Sequence, residues 1–160
     1  MDILFLCVVI FLFLLAVFDL SVGVSNDAVN FLNSAIGSKA ASFKRIIIVA
    51  SVGVFIGAAM SNGMMEIARH GIFRPEHFSF YDLICIFMAV MVTDIILLDI
   101  FNSLGMPTST TVSMVFELLG ATFVVALIKM AGGIDLGFND LLNTEKALSV
   151  IMGIFLSLIH

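Results

Sequence analysis

The apolar stretch over residues 3–36 is longer than a bilayer crossing requires, and it turns polar halfway along without the signs of a helix leaving the membrane. A helix needs about 20 mainly apolar residues to cross a hydrocarbon core about 30 Å thick. "ILFLCVVIFLFLLAVF" supplies most of one crossing, and "SVGVSNDAVNFLNSA" then follows. Asp19, Ser21, Ser25, Asn26, Asp27, Asn30, Asn33 and Ser34 enter with no Pro and no run of charge. A segment this long is strongly tilted or broken, and Gly23, amid small polar residues, is the expected break.

Composition fixes the solvent. With 61% hydrophobic and 12% charged residues and a mean hydropathy of +1.21, the chain departs from the roughly half-apolar, quarter-charged norm of soluble domains. It reads as an all-α integral membrane protein of the cell membrane, crossing several times. The net charge of -5 comes from few charges, several of them inside apolar segments, and points to no nucleic-acid partner. Cys7 and Cys85 sit in apolar runs, where a thiol packs as a small hydrophobe. A cleaved signal peptide wants a basic start, but Asp2 is acidic and the first Lys or Arg is Lys39.

Residues 46–63 read as a second helix, with Gly53, Gly57, Ala58 and Ala59 offering a small-residue packing surface. Residues 64–82 carry Glu66, Arg69, His70, Arg74, Glu76, His77 and Asp82 and read as an extramembrane loop. Two long segments follow, 83–104 and 108–131, separated by "GMP". So short a connection makes them an antiparallel hairpin, with Pro107 favouring a turn and then a helix start. A polar stretch, 132–146, precedes a last apolar run, 147–159, which reads as a helix cut short at His160. The whole, 1–160, is expected to be one membrane domain. Lys39, Lys44 and Arg45 cluster after the first helix, which places that loop in the cytoplasm and the N-terminus outside. The loops placed outside hold Arg69, Arg74, Lys129 and Lys146, more thinly spread and offset by acids.

On a helix, residues three, four and seven apart share a face, so Asp19, Gly23, Asn26, Asp27 and Asn30 form one polar stripe. A carboxylate is costly in hydrocarbon, and the stripe belongs in a bundle interior or a water-filled cavity holding an ion or substrate. Carboxylate and amide oxygens are hard ligands suited to an alkali cation or a proton. One asparagine alone would be read as tying two helices together; Asn26, Asp27 and Asn30 together read as a functional site.

The second constellation is "GMPTSTTVSMVFELLG", residues 105–120. Thr108, Ser109, Thr110 and Thr111 are expected in the first turn after Pro107, where unpaired N–H groups and the positive end of the helix dipole favour an anion. Ordinary capping explains one hydroxyl; four exceed it. Glu117 shares a face with Thr110 and Ser113, and is either proton-linked or a neutral carboxyl bonded to the next helix. Asp94 and Asp99 lie in the preceding helix; a paired-aspartate protease would want a Gly-rich setting that they lack, and no nucleophile with a base is visible. "NDLLN", residues 139–143, repeats the spacing of Asn26, Asp27 and Asn30 in a Gly-rich polar stretch and reads as turn chemistry.

At the two constellations the sequence resembles the PiT family of inorganic phosphate transporters. "GVSNDAVNFLNSAIGSKA" is similar to its N-terminal signature, a Gly shortly before N-D-x-A-N, and "GMPTSTTVS" resembles its G-x-P-x-S-T-T-H-S hallmark. There are departures. Gly23 stands one residue further from Asn26 than in the family pattern, Ala28 and Val29 are reversed, Val112 stands where His is frequent, and Phe116 and Glu117 replace a Gly-Ala pair. Val54 stands where some members carry a glutamate.

The resemblance implies one half of an inverted-repeat transporter, with a broken first helix and a Ser/Thr-tipped helical hairpin meeting at a shared site. It implies phosphate binding by Ser109, Thr110, Thr111 and Asn30, and cation binding, of sodium or a proton, by Asn26, Asp27 and Asn30. The implied activity is cation-coupled phosphate symport by alternating access, without covalent chemistry, enzymatic activity or a resident cofactor. The other half would follow in the polypeptide, or be supplied by an antiparallel homodimer. The competing reading is a non-transporting membrane subunit or scaffold whose polar stripe packs against partner helices.

Overall fold

In lipid every backbone N–H and C=O must be paired within its own segment, so long apolar stretches become helices. A computed structural model describes residues 3–66, 71–106, 108–133 and 137–159. Its helices are α1 (Ile3–Gly37), α2 (Phe43–Ala59), α3 (Asn62–Glu66), α4 (Phe80–Ser103), α5 (Thr110–Ala131), α6 (Phe138–Leu141) and α7 (Thr144–Ile159), with a 3-10 turn at Pro75–His77. Among the described residues three helices, α1, α4 and α5, are long and apolar enough to cross a membrane. The only extended pairing among them is an isolated antiparallel bridge between Phe73 and Leu142. Pro107, Arg69, His70 and His160 lie outside the described residues.

The first helix is not broken, contrary to the expectation at Gly23: α1 runs without interruption for 35 residues. At about 1.5 Å per residue that is about 52 Å, more than a bilayer core, so tilt or extension past the interface absorbs the excess. Within the polar stretch the serine hydroxyls fold back on the preceding turn, so they need no other partner there. Ser21 donates to the Val17 carbonyl at 2.8 Å and Ser25 to that of Ser21 at 2.9 Å. The second helix begins three residues earlier and ends four earlier than expected, since Ser61, Asn62 and Gly63 start a new turn instead of extending it.

α4 and α5 form the hairpin. α4 opens with a capping box, in which the Ser79 hydroxyl accepts from the Asp82 N–H and the Asp82 carboxylate accepts from that of Ser79. It ends where Gly105, at φ 67, turns left-handed. Gly105 N–H then reaches the Asn102 carbonyl and Met106 N–H that of Phe101, the Schellman pattern that closes a helix. Asp82 and Lys129 pair across the far end of the hairpin.

α1 packs along α4 in parallel. The Phe5 and Phe80 rings lie 5.4 Å apart, Asp19 faces Asp94, and Gly23 lies beside Leu98, so the partners differ by 75 positions throughout (5 and 80, 19 and 94, 23 and 98). The apolar core lies between α4 and α5, around Ile86, Val90, Leu118 and Ala126, and continues into Ile72, Phe73, Phe78, Leu141 and Leu142 from the two connecting stretches. Backbone bonds from Arg74 N–H to the Leu141 carbonyl and from Asn143 N–H to the Ile72 carbonyl join those stretches. The outward faces of α1, α4 and α5 expose Phe, Leu, Ile and Val, as lipid contact requires.

Candidate functional site

The polar stripe of α1 meets the start of α5. Asn26, fully buried, accepts from the Thr108 N–H at 3.1 Å through Oδ1 and donates to the Thr108 carbonyl at 2.5 Å through Nδ2. Asn30, one turn on, donates to the same carbonyl at 3.1 Å. Asp27 accepts from the Thr110 hydroxyl at 3.2 and 3.3 Å. Two motifs about eighty positions apart in the chain are thereby joined by five hydrogen bonds made through three side chains of α1.

This contact corrects the expected start of the helix. Thr108 and Ser109 precede α5 instead of lying in its first turn, because the Asn26 carboxamide pairs with both backbone groups of Thr108 and holds it outside the helix. Ser109 is the N-cap, its hydroxyl accepting from the Val112 N–H at 3.4 Å. Thr110 and Thr111 are the first helical residues, the former half-buried against Asp27 and the latter exposed. The first N–H groups of a helix have no partner within it, and in this turn the Ser109 hydroxyl takes that of Val112.

A cleft of about 440 Å³ opens beside this junction, lined by Asp19, Gly23, Asp27, Asp94, Thr110 and Met114 among others. One side is a helix start that favours anions; the other is carboxylate. Asp94 is 4% exposed, and Glu117 accepts from Ser113 at 2.7 Å in its own helix while facing Asp94 on α4. Sequence spacing did not bring Asp19, Asp94 and Glu117 together, because they lie on three different helices. Asp99 is exposed. In the repeat of the spacing at residues 139–143, Asp140 accepts from the Gly137 N–H and Asn143 from that of Lys146, which is the turn and cap chemistry expected there. Among the described residues no group of three His, Cys, Asp or Glu is arranged to hold a metal ion.

The family model described as the phosphate transporter family matches residues 23–160. The chain belongs to that family. It is also similar to the Thermococcus kodakarensis protein named Putative phosphate permease TK2061, with 30% identity over 135 residues, covering 83% of this chain and 30% of that protein. This phosphate transporter family chain thus spans less than a third of the length of that relative. No solved structure matches. As a member of a transporter family with several membrane-length helices, it is a multi-pass membrane protein.

Proposed function

We propose that the chain contributes one half of a cation-coupled inorganic phosphate symporter working by alternating access. The observation that carries this reading is the Asp27 to Thr110 contact, which sets a carboxylate at the helix start where a phosphate would dock. Two like charges about 4 Å apart repel by about 4 kcal/mol at the effective dielectric near a protein surface. An anion therefore binds well beside Asp27 only when a cation has neutralised the carboxylate. That dependence is a coupling free energy: it favours joint occupancy and disfavours either ion alone.

In this reading Ser109, Thr110 and Thr111, with Asn30, receive the phosphate. Asp27 supplies the charge for sodium or a proton, with Asn30 as a neighbouring oxygen. Asn26 acts on the site by holding Thr108. The N-terminus is extracytoplasmic and the loop carrying Lys39, Lys44 and Arg45 is cytoplasmic. A second half of opposite orientation, from the same polypeptide or a second copy, supplies the remaining ligands.

The test is uptake of labelled phosphate into vesicles holding the complete protein, with imposed sodium or proton gradients. Uptake that rises with one gradient and disappears when it is collapsed supports the reading. Vesicles that take up no phosphate under either gradient would return the chain to a packing or scaffold role.

A further inference from the structure

The carboxyls of Asp19, Asp94 and Glu117 converge from α1, α4 and α5 at the middle of the hairpin, away from its tip. Asp94 is in the centre: it lines one cleft with Asp19 of α1, and Glu117 faces it from α5. It is 4% exposed, and its Oδ1 has no hydrogen-bond partner; Oδ1 of Asp19 and Oε2 of Glu117 are likewise inaccessible and unpartnered. Asp19 and Asp27 are 8 positions apart on α1, about 12 Å along the axis, so the cluster lies further along the cleft than the Asp27 to Thr110 contact.

We propose that Asp94, with Asp19 and Glu117, forms a proton-binding site inside the helix bundle, distinct from the phosphate motifs.

Carboxylates that face one another away from water repel, which favours the protonated form of one of them. A proton taken up by the group lowers that repulsion, and Asp94 is the member that faces both others. The surroundings agree. The polar and titratable groups lining the two adjoining clefts are Asp27 on α1, Cys85 and Thr93 on α4, and Thr110 on α5, and among the described lining residues none is basic. Ser113 donates one hydrogen bond to Glu117. With no lysine or arginine to neutralise the group, protons are the charge it can take up from water. Asp94 faces Asp19 on one side and Glu117 on the other, and among the described residues no three such groups are arranged to hold a metal ion, which favours a proton. If the chain transports phosphate as proposed above, this is where a coupling proton would ride.

The experiment uses the complete protein in lipid vesicles. The infrared difference between wild type and Asp94→Asn near neutral pH should contain the carbonyl stretch of a protonated carboxyl, shifted by deuterium oxide. Glu117→Gln should move the same band, which serves if Asp94→Asn does not fold. In the same vesicles, stimulation of phosphate uptake by an inward proton gradient should be lost in Glu117→Gln. A protonated band in a protein that carries no phosphate would uphold the site and sink the transporter reading. Phosphate uptake by wild type, with no such band and an unaltered proton response in the variants, would overturn the site alone. Loss of the band on adding sodium, in place of protons, would assign the cluster to sodium and also overturn the proposal.

Discussion

Asn26 holds Thr108 by both of its backbone groups, as a neighbouring strand would, although the two residues belong to a helix and a turn. The α4–α5 tip is thereby fixed to α1 by one fully buried side chain. Asn26→Ala should leave the N–H of Thr108 without that partner, at about 1–3 kcal/mol per unsatisfied group. Asn26→Asp should be no better, since a carboxylate accepts but cannot donate to the Thr108 carbonyl. Thermal unfolding in detergent checks both; equal midpoints for Asn26→Asp and wild type would exclude the double bond.

Asp27→Asn keeps shape and removes the charge facing Thr110. Gradient-driven phosphate uptake by the complete protein is expected to fall at least about ten-fold, equivalent to about 1.4 kcal/mol, while membrane insertion persists. Uptake and ion dependence equal to wild type would make Asp27 a helix-packing residue only.

Gly23→Ala bears on the unbroken helix. An added Cβ would meet Thr110 Cγ2 at 3.9 Å and Leu98 Cδ1 at 4.0 Å, ordinary contact distances. Because Gly weakens a helix interior, the variant should be as stable as wild type or gain about 0.5–1 kcal/mol. A marked fall in melting temperature would show that the chain needs a break at this point.

Ser109, Thr110 and Thr111 can be separated by their positions. Ser109→Ala removes a cap and should lower stability by about 1 kcal/mol. Thr110→Val keeps the shape but loses the hydroxyl that meets Asp27, and should weaken phosphate binding with little change in stability. Isothermal titration with inorganic phosphate, alongside melting curves, reads the two effects apart.

Orientation can be read with cysteines introduced at Ser38 and Glu76 in a background lacking Cys7 and Cys85. Ser79 would be a poor reporter because it caps α4, whereas Glu76 is exposed in the same stretch. Ser38 should react with an impermeant reagent only from the cytoplasmic side and Glu76 only from outside. The reverse pattern would place the N-terminus in the cytoplasm.

The spans and the two polar motifs were legible in the sequence, because hydropathy and helical spacing are local properties. The stripe from Asp19 to Asn30 does face the neighbouring helices. The continuity of α1 was not legible: serines whose hydroxyls bond carbonyls four residues back fit a continuous helix as well as a break when only residue types are known. Asn26 bonds to backbone, and backbone partners leave no trace in residue identity. Asp19, Asp94 and Glu117 meet because α1 and α4 run parallel at a constant offset, a register set by packing over their whole length. The buried pairing of residues 72–74 with 141–143 was hidden for the same reason, inside stretches that read only as polar connections.

The hairpin is fastened differently at its two ends. At the end carrying Asp82 and Lys129, Ile72, Phe73, Phe78, Leu141 and Leu142 bury apolar surface that water cannot replace. At the tip, the attachment to α1 runs through the bonds of Asn26, Asn30 and Asp27 to Thr108 and Thr110, each of which water can substitute. A load on such a lever swings the tip and spares the base. Wetting the latch is then the event that frees it, and the groups that release first are the same ones that would receive the ions.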